Sequence, residues 1–571
     1  MADRYWEAHL GYSPIEATLH GDHRFDDRLD DVSADAEARQ RATWLELRAA
    51  VDTIDTDGLD AAGRVTWELL RAELTQAVEA IDMRRTELRF DQNTGLHAAL
   101  LVVTPQLQAP TPESARALLE RHRQIPTLID QMIERLRAGL GAGRTPARIN
   151  VERSLKQVDR YLASPLDGDP FTTMAGPPGW DGEAAWRADL AATARDAIRP
   201  AFGRYREFFA SELLPAGRPH DRAGLCFMDD GPALYEHFLR RHTTLGGSRR
   251  RDQGDTPCPP GVSDLTAEQI HQIGLDELES LTGEYAEVGG RLFGTTDLIG
   301  IFERLRSDPA LRYGSGEQIM DDARRYLAAA TAAMGEWFGR LPVAPCEIRA
   351  IPASVAEDMP VAYYFPPASD GSRPGTYFVN TADPGHKNRF ETASVAYHEA
   401  IPGHHLQLAI ATELEGVPAF QRLSGGNTAY VEGWGLYAER LAEEMGLYAD
   451  DLERIGMLAA DSWRSCRLVV DTGLHALGWG RQQAIDFMAA NAPVTLEEIE
   501  VEVDRYIGVP GQALAYKIGQ REIFRLREDA RGRLGDRFDI KAFHDVVLGS
   551  SSVSLAVLRQ LVDDWVVAEG P

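Results

Sequence analysis

Apolar residues recur every three to four positions over most of residues 1–240, clearest in 36–54 and 64–86, and that period predicts helices joined by polar connections. Two Gly/Pro-rich stretches, 139–148 and 167–182, interrupt the pattern. A third stretch, 246–257, contains no apolar residue to anchor it and reads as a mobile, exposed loop, its Arg triplet (Arg249, Arg250, Arg251) included. Helical signal resumes at Thr266, with helix-start chemistry between Ser263 and Thr266. Residues 346–352 and 375–380 instead read as short strands between Pro and Gly turns. The second of these could offer an edge to an extended peptide, held by main-chain hydrogen bonds. A long helical segment is expected from about 450 to 490, and no internal repeat stands out. The pattern therefore predicts a mainly α protein with a small β element.

Composition narrows the class without naming a function. With 571 residues, 44% of them hydrophobic, the chain can bury a sizeable core, yet no apolar run approaches the length of a membrane span. The start, Met1-Ala2-Asp3-Arg4-Tyr5-Trp6, shows neither a basic nor an apolar segment, so the expected location is the cytoplasm. Cys226, Cys258, Cys346 and Cys466 lie far apart, lack a zinc-finger spacing and read as reduced thiols. A formal charge of −28 argues against nucleic acid and against an anionic membrane surface as partners.

Chemistry concentrates in Tyr397-His398-Glu399-Ala400-Ile401-Pro402-Gly403-His404-His405-Leu406-Gln407, which holds three of the chain's 15 histidines. Two imidazoles on one helix can bind a metal while the glutamate after the first faces the bound water. The spacing departs from the usual four residues, because Pro402 occupies the position of the second histidine. In an ideal helix His404 and His405 would lie about 9 and 10.5 Å further along the axis than His398. Pro402, however, cannot donate to the carbonyl of His398 and crowds it, and Gly403 tolerates unusual angles. The helix should break there and return His404 or His405 over His398.

A second segment, Tyr430-Val431-Glu432-Gly433-Trp434-Gly435-Leu436-Tyr437-Ala438-Glu439, supplies carboxylates. Glu432 and Glu439 are seven residues apart and share a helix face. One can complete a His/His/Glu metal site while the other holds a histidine in its tautomer. Arg467, Asp471 and His475 recur at four-residue spacing on another helix, so Arg467 and Asp471 are expected to pair and brace the site.

These residues resemble the signature of the bacterial domain-of-unknown-function 885 family. His398, Glu399, Pro402, Gly403, His404 and Gln407 fill its first block and the Glu-Gly-Trp segment at Glu432 its second. Residues 467–475 and 510–519 match a third and a fourth. The resemblance implies a mostly helical, metallopeptidase-like protein; with the two strands read above, the expected fold is a large helical one with a small sheet beside the metal-binding helix and a deep cleft. The resemblance selects His404 over His405 as ligand, since the position after Pro-Gly-His varies in the family. It also nominates Tyr516 and His475 as donors to a developing oxyanion, with Tyr437 a third candidate. His405, Gln407, Glu439, Arg467, Asp471, Gln512 and Lys517 would lie around the centre or face substrate, with Lys517 and Arg464 as anchors for a substrate carboxylate.

The resulting expectation is a zinc-dependent hydrolase with His398, His404 and Glu432 as ligands and Glu399 as general base, cleaving amide bonds in short peptides. Another divalent metal is compatible with the same donors. The alternatives are a metal-dependent enzyme acting on a non-peptide small molecule, or a metal-binding scaffold without catalysis. The expected organisation is a helical part over residues 1–245, a flexible inserted loop at 246–262 and a catalytic part over 263–571.

Overall fold

The computed structural model describes every residue except 246–264, 353–355, 357–358, 369–370, 372, 425 and 571. The expected loop at 246–257, Ser263 and Cys258 lie outside the described residues. The remaining cysteines, Cys226, Cys346 and Cys466, are free thiols.

The architecture is helical with one small sheet. Helix α1 (Ala34–Asp52) starts where the Ser33 hydroxyl accepts the N–H of Ala36, and α2 (Ala61–Asp82) where Asp60 accepts that of Gly63; each side chain satisfies a donor the first turn leaves free. These two are the helices expected at 36–54 and 64–86. A 30-residue helix, α3 (Pro112–Gly141), ends in the Gly-rich break, and α4 (Gly231–Thr243) closes the N-terminal part. Past the undescribed stretch, Thr266 and Gln269 form a reciprocal capping box that opens α5 (Ala267–Phe293).

Strands β1 (Cys346–Ala350), β2 (Ala362–Phe365) and β3 (Gly375–Val379) form a sheet in the order β1-β3-β2, with β1 parallel and β2 antiparallel to β3. Sequence pattern located β1 and β3 but not β2, although Ala362-Tyr363-Tyr364-Phe365 between prolines is a strand-like run. This corrects one expectation: β3 has partners on both sides, so it offers no free edge to a peptide.

The chain then enters α7 (Thr392–Glu399) after α6 (Gly316–Trp337), turns, and continues as α8 (His404–Glu413) and α9 (Thr428–Glu444). The central element is α10 (Asp451–His475), buried on nearly every face and packed against α5, α7 and α9. It ends at His475, short of the expected 490. Gly478 takes a positive φ of 76° in the turn before α11 (Arg481–Asn491). Helices α12 (Leu496–Gly508) and α13 (Ala515–Leu534) follow, α13 crossing α9 closely. The largest hydrophobic core runs from Tyr5 through Tyr285 and Trp434 to Val566, so it draws on both sides of the undescribed stretch.

Candidate metal centre

Pro402 does interrupt the helix. The α7 helix ends at Glu399, Ala400 leaves helical geometry at φ −102°, ψ −103°, and α8 begins at His404. The turn is tied by the His405 N–H donating to the Ala400 carbonyl at 2.9 Å and by Trp434 Nε1–H donating to the Pro402 carbonyl at 3.0 Å. Only a glycine fits at 403, where a Cβ would lie 1.9 Å from the carbonyl oxygen of His398.

This turn carries His404 back to His398, their ring centroids 4.7 Å apart and nearly perpendicular. Glu432 reaches both from α9: its Oε2 lies 3.5 Å from His398 Nε2 and 3.5 Å from His404 Nε2. The three donor atoms lie within 4.8 Å of one another, the single such group of three metal-ligating side chains among the described residues. A separation of 3.5 Å is long for a charge-assisted hydrogen bond, which prefers about 2.7–2.9 Å. It is close to the edge, about 3.3 Å, of a tetrahedron whose centre-to-ligand distance is about 2.0–2.1 Å. Two imidazoles and one carboxylate also form the donor set that zinc accepts while keeping a position open. These residues therefore fit a divalent metal.

The surroundings fix that geometry. His398 Nδ1 is held at 2.8 Å by Glu439 Oε1, and the other oxygen of Glu439 accepts from the Ser394 hydroxyl. Burial alone would lower the His398 pKa, but Glu432 and Glu439 overcome it and push the imidazole up to about 9. Burial likewise acts to raise the Glu432 pKa, and the two imidazoles more than offset it, holding the carboxyl well below its ordinary range. The Gly-Trp-Gly run of α9 makes room: a Cβ on Gly435 would lie 2.6 Å from the His398 ring, and one on Gly433 would lie 2.4 Å from the Cα of Gly519 in α13.

Glu399 stands beside this group. Its carboxylate makes no hydrogen bond or ion pair with a described residue, and burial raises its pKa, the nearby His398 and His404 opposing and Glu432 reinforcing the shift. Tyr516 stacks on His398, ring centroids 6.2 Å apart, under the Arg467 guanidinium, 4.5 Å from its ring. Gln512 accepts from Arg505 at 2.8 Å.

The other expected site residues serve different ends. His475 does not join the cluster: it lies 11 residues beyond Arg464 on α10, about 16 Å along the axis. Its Nδ1 accepts the Leu225 N–H at 3.2 Å and its Nε2 lies 3.0 Å from the Tyr506 carbonyl, so both nitrogens are committed. His405 faces the sheet, its Nδ1 2.9 Å from the Tyr364 hydroxyl, and burial lowers its pKa to about 4. Tyr437 points away from the cluster to His544 at 2.8 Å and Arg527 at 3.1 Å. Gln407 donates to the Tyr430 carbonyl at 3.3 Å, bracing α8 on α9.

Arg467 does not pair with Asp471. Its partners are the Tyr506 hydroxyl at 2.8 Å and Glu502 at 3.1 Å, whereas Asp471 accepts from Tyr235 at 2.6 Å and from the Gly511 N–H at 3.0 Å. Lys517 is not an anchor for substrate either, being buried against Asp461 with Gln520 at 2.8 Å. Among the described residues Arg464 Nε is buried without a partner, and its guanidinium lies 4.0 Å from Glu439. Ser394 was not anticipated; a hydroxyl one helical turn before His398 was the available signal. A cavity of about 240 Å³ behind α10, lined by Leu275, Leu281, Tyr285, Phe302 and Ser462, contains none of the cluster residues.

The family model described as "Bacterial protein of unknown function (DUF885)" matches residues 14–251 and 261–562. Its break falls beside and within the stretch read as an inserted loop. Among solved structures, a "putative lipoprotein" from Colwellia psychrerythraea is similar at a TM-score of 0.89 and 28% identity, covering 99% of each chain. A "putative lipoprotein of unknown function" from Shewanella oneidensis shares the fold at a TM-score of 0.73 and 19% identity, covering 98% of each chain. No curated protein matches. Among the described residues no helix is long and apolar enough to cross a membrane.

Proposed function

The chain belongs to the bacterial domain-of-unknown-function 885 family, and from its side-chain geometry we propose that it is a metal-dependent hydrolase of amide bonds, with short peptides as substrates. One observation carries this reading: His398 Nε2 and His404 Nε2 each lie 3.5 Å from Glu432 Oε2, close to a tetrahedral edge, all three within 4.8 Å of one another, beside a Glu399 carboxylate without a bond to a described residue. His398, His404 and Glu432 would hold the metal, with Glu439 and Ser394 orienting His398. A bound zinc ion would supply Lewis acidity and bring the pKa of a coordinated water down to about 7.

The chain's own groups handle the protons. Glu399 takes the proton of the attacking water and returns it to the leaving nitrogen. Tyr516 donates to the oxyanion that develops on the scissile carbonyl. Burial and Glu432 raise its pKa, so it stays an O–H donor at neutral pH. A metallopeptidase-like cleft over the cluster, roofed by the N-terminal helices, is part of the proposal and restricts entry to small substrates. Nucleic acid and membrane are not among the proposed partners, and zinc is the proposed ion.

The test is metal content of the purified protein together with turnover of a mixed peptide library by wild type and Glu399→Gln. Near-stoichiometric metal in both with cleavage by wild type alone supports the reading. Metal without cleavage redirects it to a non-peptide amide, and a protein that takes up no zinc sinks it.

A further inference from the structure

The outer face of the Tyr516 ring is covered by a cation that other elements hold in place. Arg467 of α10 is buried, its Nε donating to the Tyr506 hydroxyl of α12 at 2.8 Å and its Nη2 to Glu502 at 3.1 Å. The Tyr506 hydroxyl donates in turn to Glu502 at 2.7 Å, and Arg505 binds the same carboxylate at 2.9 Å. Among the described residues Glu502 is the one carboxylate within ion-pair distance of either guanidinium, so two positive charges share one negative. Nη1 of Arg467 is buried and has no hydrogen-bond partner among the described residues. Its surroundings are aromatic instead: the guanidinium lies 4.5 Å from the ring centroid of Tyr516, 5.2 Å from that of Trp463 and 5.6 Å from that of Tyr506. Bracing α10 on α12 uses Nε and Nη2 alone, and burying a further nitrogen without a partner is unfavourable, so bracing does not account for where the guanidinium sits.

Tyr516 lies between this cation and the candidate metal centre. Its other side faces His398, with ring centroids 6.2 Å apart and planes 23° from parallel. His398 is itself fixed by Glu439 at 2.8 Å. The order is therefore imidazole, phenol, guanidinium. A cation over an aromatic face is attracted to the ring and draws electron density from it. On a phenol this strengthens the hydroxyl as a donor, most of all toward an acceptor with a full negative charge. A scissile carbonyl carries little charge in the ground state and a full one in the tetrahedral intermediate, so the help from the guanidinium grows as the reaction proceeds.

We propose that Arg467 is a positioning residue of the hydrolytic site: it pins the Tyr516 ring beside His398 and keeps a positive charge on the ring's outer face, which suits the hydroxyl to an oxyanion over a neutral carbonyl. This rests on the reading above for Tyr516 as the donor. It also extends the site to α12, whose Glu502 and Tyr506 aim the guanidinium.

The experiment compares an oxyanion mimic with a substrate. An N-acetyl-tripeptide in which a phosphinate replaces the scissile amide is titrated calorimetrically into the zinc-loaded full chain, and the parent peptide is offered for turnover. Arg467→Gln should weaken phosphinate binding about tenfold and lower kcat by a similar factor, leaving KM and zinc affinity near wild type. Tyr516→Phe should lose at least as much, and adding Arg467→Gln to it should lose nothing further, because the guanidinium then has no hydroxyl to act through. Should Arg467→Gln fail to fold, Arg467→Lys takes its place. It keeps a cation for Glu502 but has no planar group to lie on the ring, so a loss of about threefold or more, again absent in the Tyr516→Phe background, is expected. Losses that add in the double variant, or an Arg467 substitution that leaves phosphinate affinity unchanged, overturn the proposal; a loss on Tyr516→Phe alone would still leave Tyr516 as the donor. A fall in zinc affinity as large as the fall in phosphinate affinity overturns it too, since Arg467 would then act on the metal site as a whole. Coupled loss of phosphinate binding in a protein that cleaves no peptide upholds the role of Arg467 and rejects the peptidase reading.

Discussion

His404 and His405 are adjacent, both buried and both within reach of a metal-binding turn, yet their environments separate them. His404 presents Nε2 to Glu432, while His405 is bound to Tyr364 in the sheet. His404→Ala should abolish zinc uptake in a competition titration, and His405→Ala should retain it while lowering the melting temperature. Retention by the first and loss by the second would invert the ligand assignment. Glu439 acts through His398 Nδ1, and its replacement by Gln should weaken zinc affinity about 10- to 100-fold, the usual cost of losing the group that orients a ligand. An unchanged affinity would mean that Ser394 and the packing around His398 suffice to hold the ring.

At the scale of elements, the Gly-Trp-Gly run of α9 does two separate jobs that substitution can resolve. A Cβ at 433 meets backbone of α13, which cannot yield without moving the helix. Gly433→Ala should therefore destabilise the fold, by about 1–3 kcal/mol in chemical denaturation. A Cβ at 435 meets the imidazole of His398, so Gly435→Ala should displace the ligand and lose zinc with a smaller stability change. Equal stability loss with zinc binding intact in both would show that the ring has room to shift. The broken helix at Pro402 and the approach of Glu432 and Glu439 to opposite nitrogens of His398 were legible because they follow from local backbone rules and helix periodicity. What spacing could not convey is long-range pairing. Arg467 and Asp471 sit one turn apart and look like mutual partners, but each finds a better one from another element, Glu502 for the first and Tyr235 and Gly511 for the second. His475 was misjudged for the same reason, since Leu225 is 250 residues away in sequence. Strand β2 was legible in principle, its aromatic run hidden by its brevity.

Across the whole molecule, the core and these long-range bonds tie the N-terminal helices to the elements that carry the His/His/Glu cluster, so stability and the geometry of that cluster are coupled. The name lipoprotein carried by two structural neighbours stands apart from the cytoplasmic expectation; it is said of them, and fractionation of cells expressing this chain decides its own location. Asp471 is the clearest of the long-range ties, joining α10, Tyr235 of α4 and the Gly511 turn that leads to Tyr516. Burial pushes its carboxyl up to about 7, although the bonds from Tyr235 and Gly511 favour the charged form. The unfolded value is about 3.9, so between pH 4 and 7 the folded protein holds a proton that the unfolded chain has released. The stabilising contribution of the protonated group is complete below about pH 4 and lost as pH rises through 7, at up to about 1.4 kcal/mol per pH unit. Asp471→Asn cannot ionise, so its stability relative to wild type should improve from pH 4 to pH 7 and level off above pH 7 in parallel denaturant titrations. If the two stability curves instead run parallel, the Tyr235 hydroxyl and the Gly511 N–H suffice to keep the carboxylate charged throughout, and Asp471 ties the halves as an ion rather than as an acid.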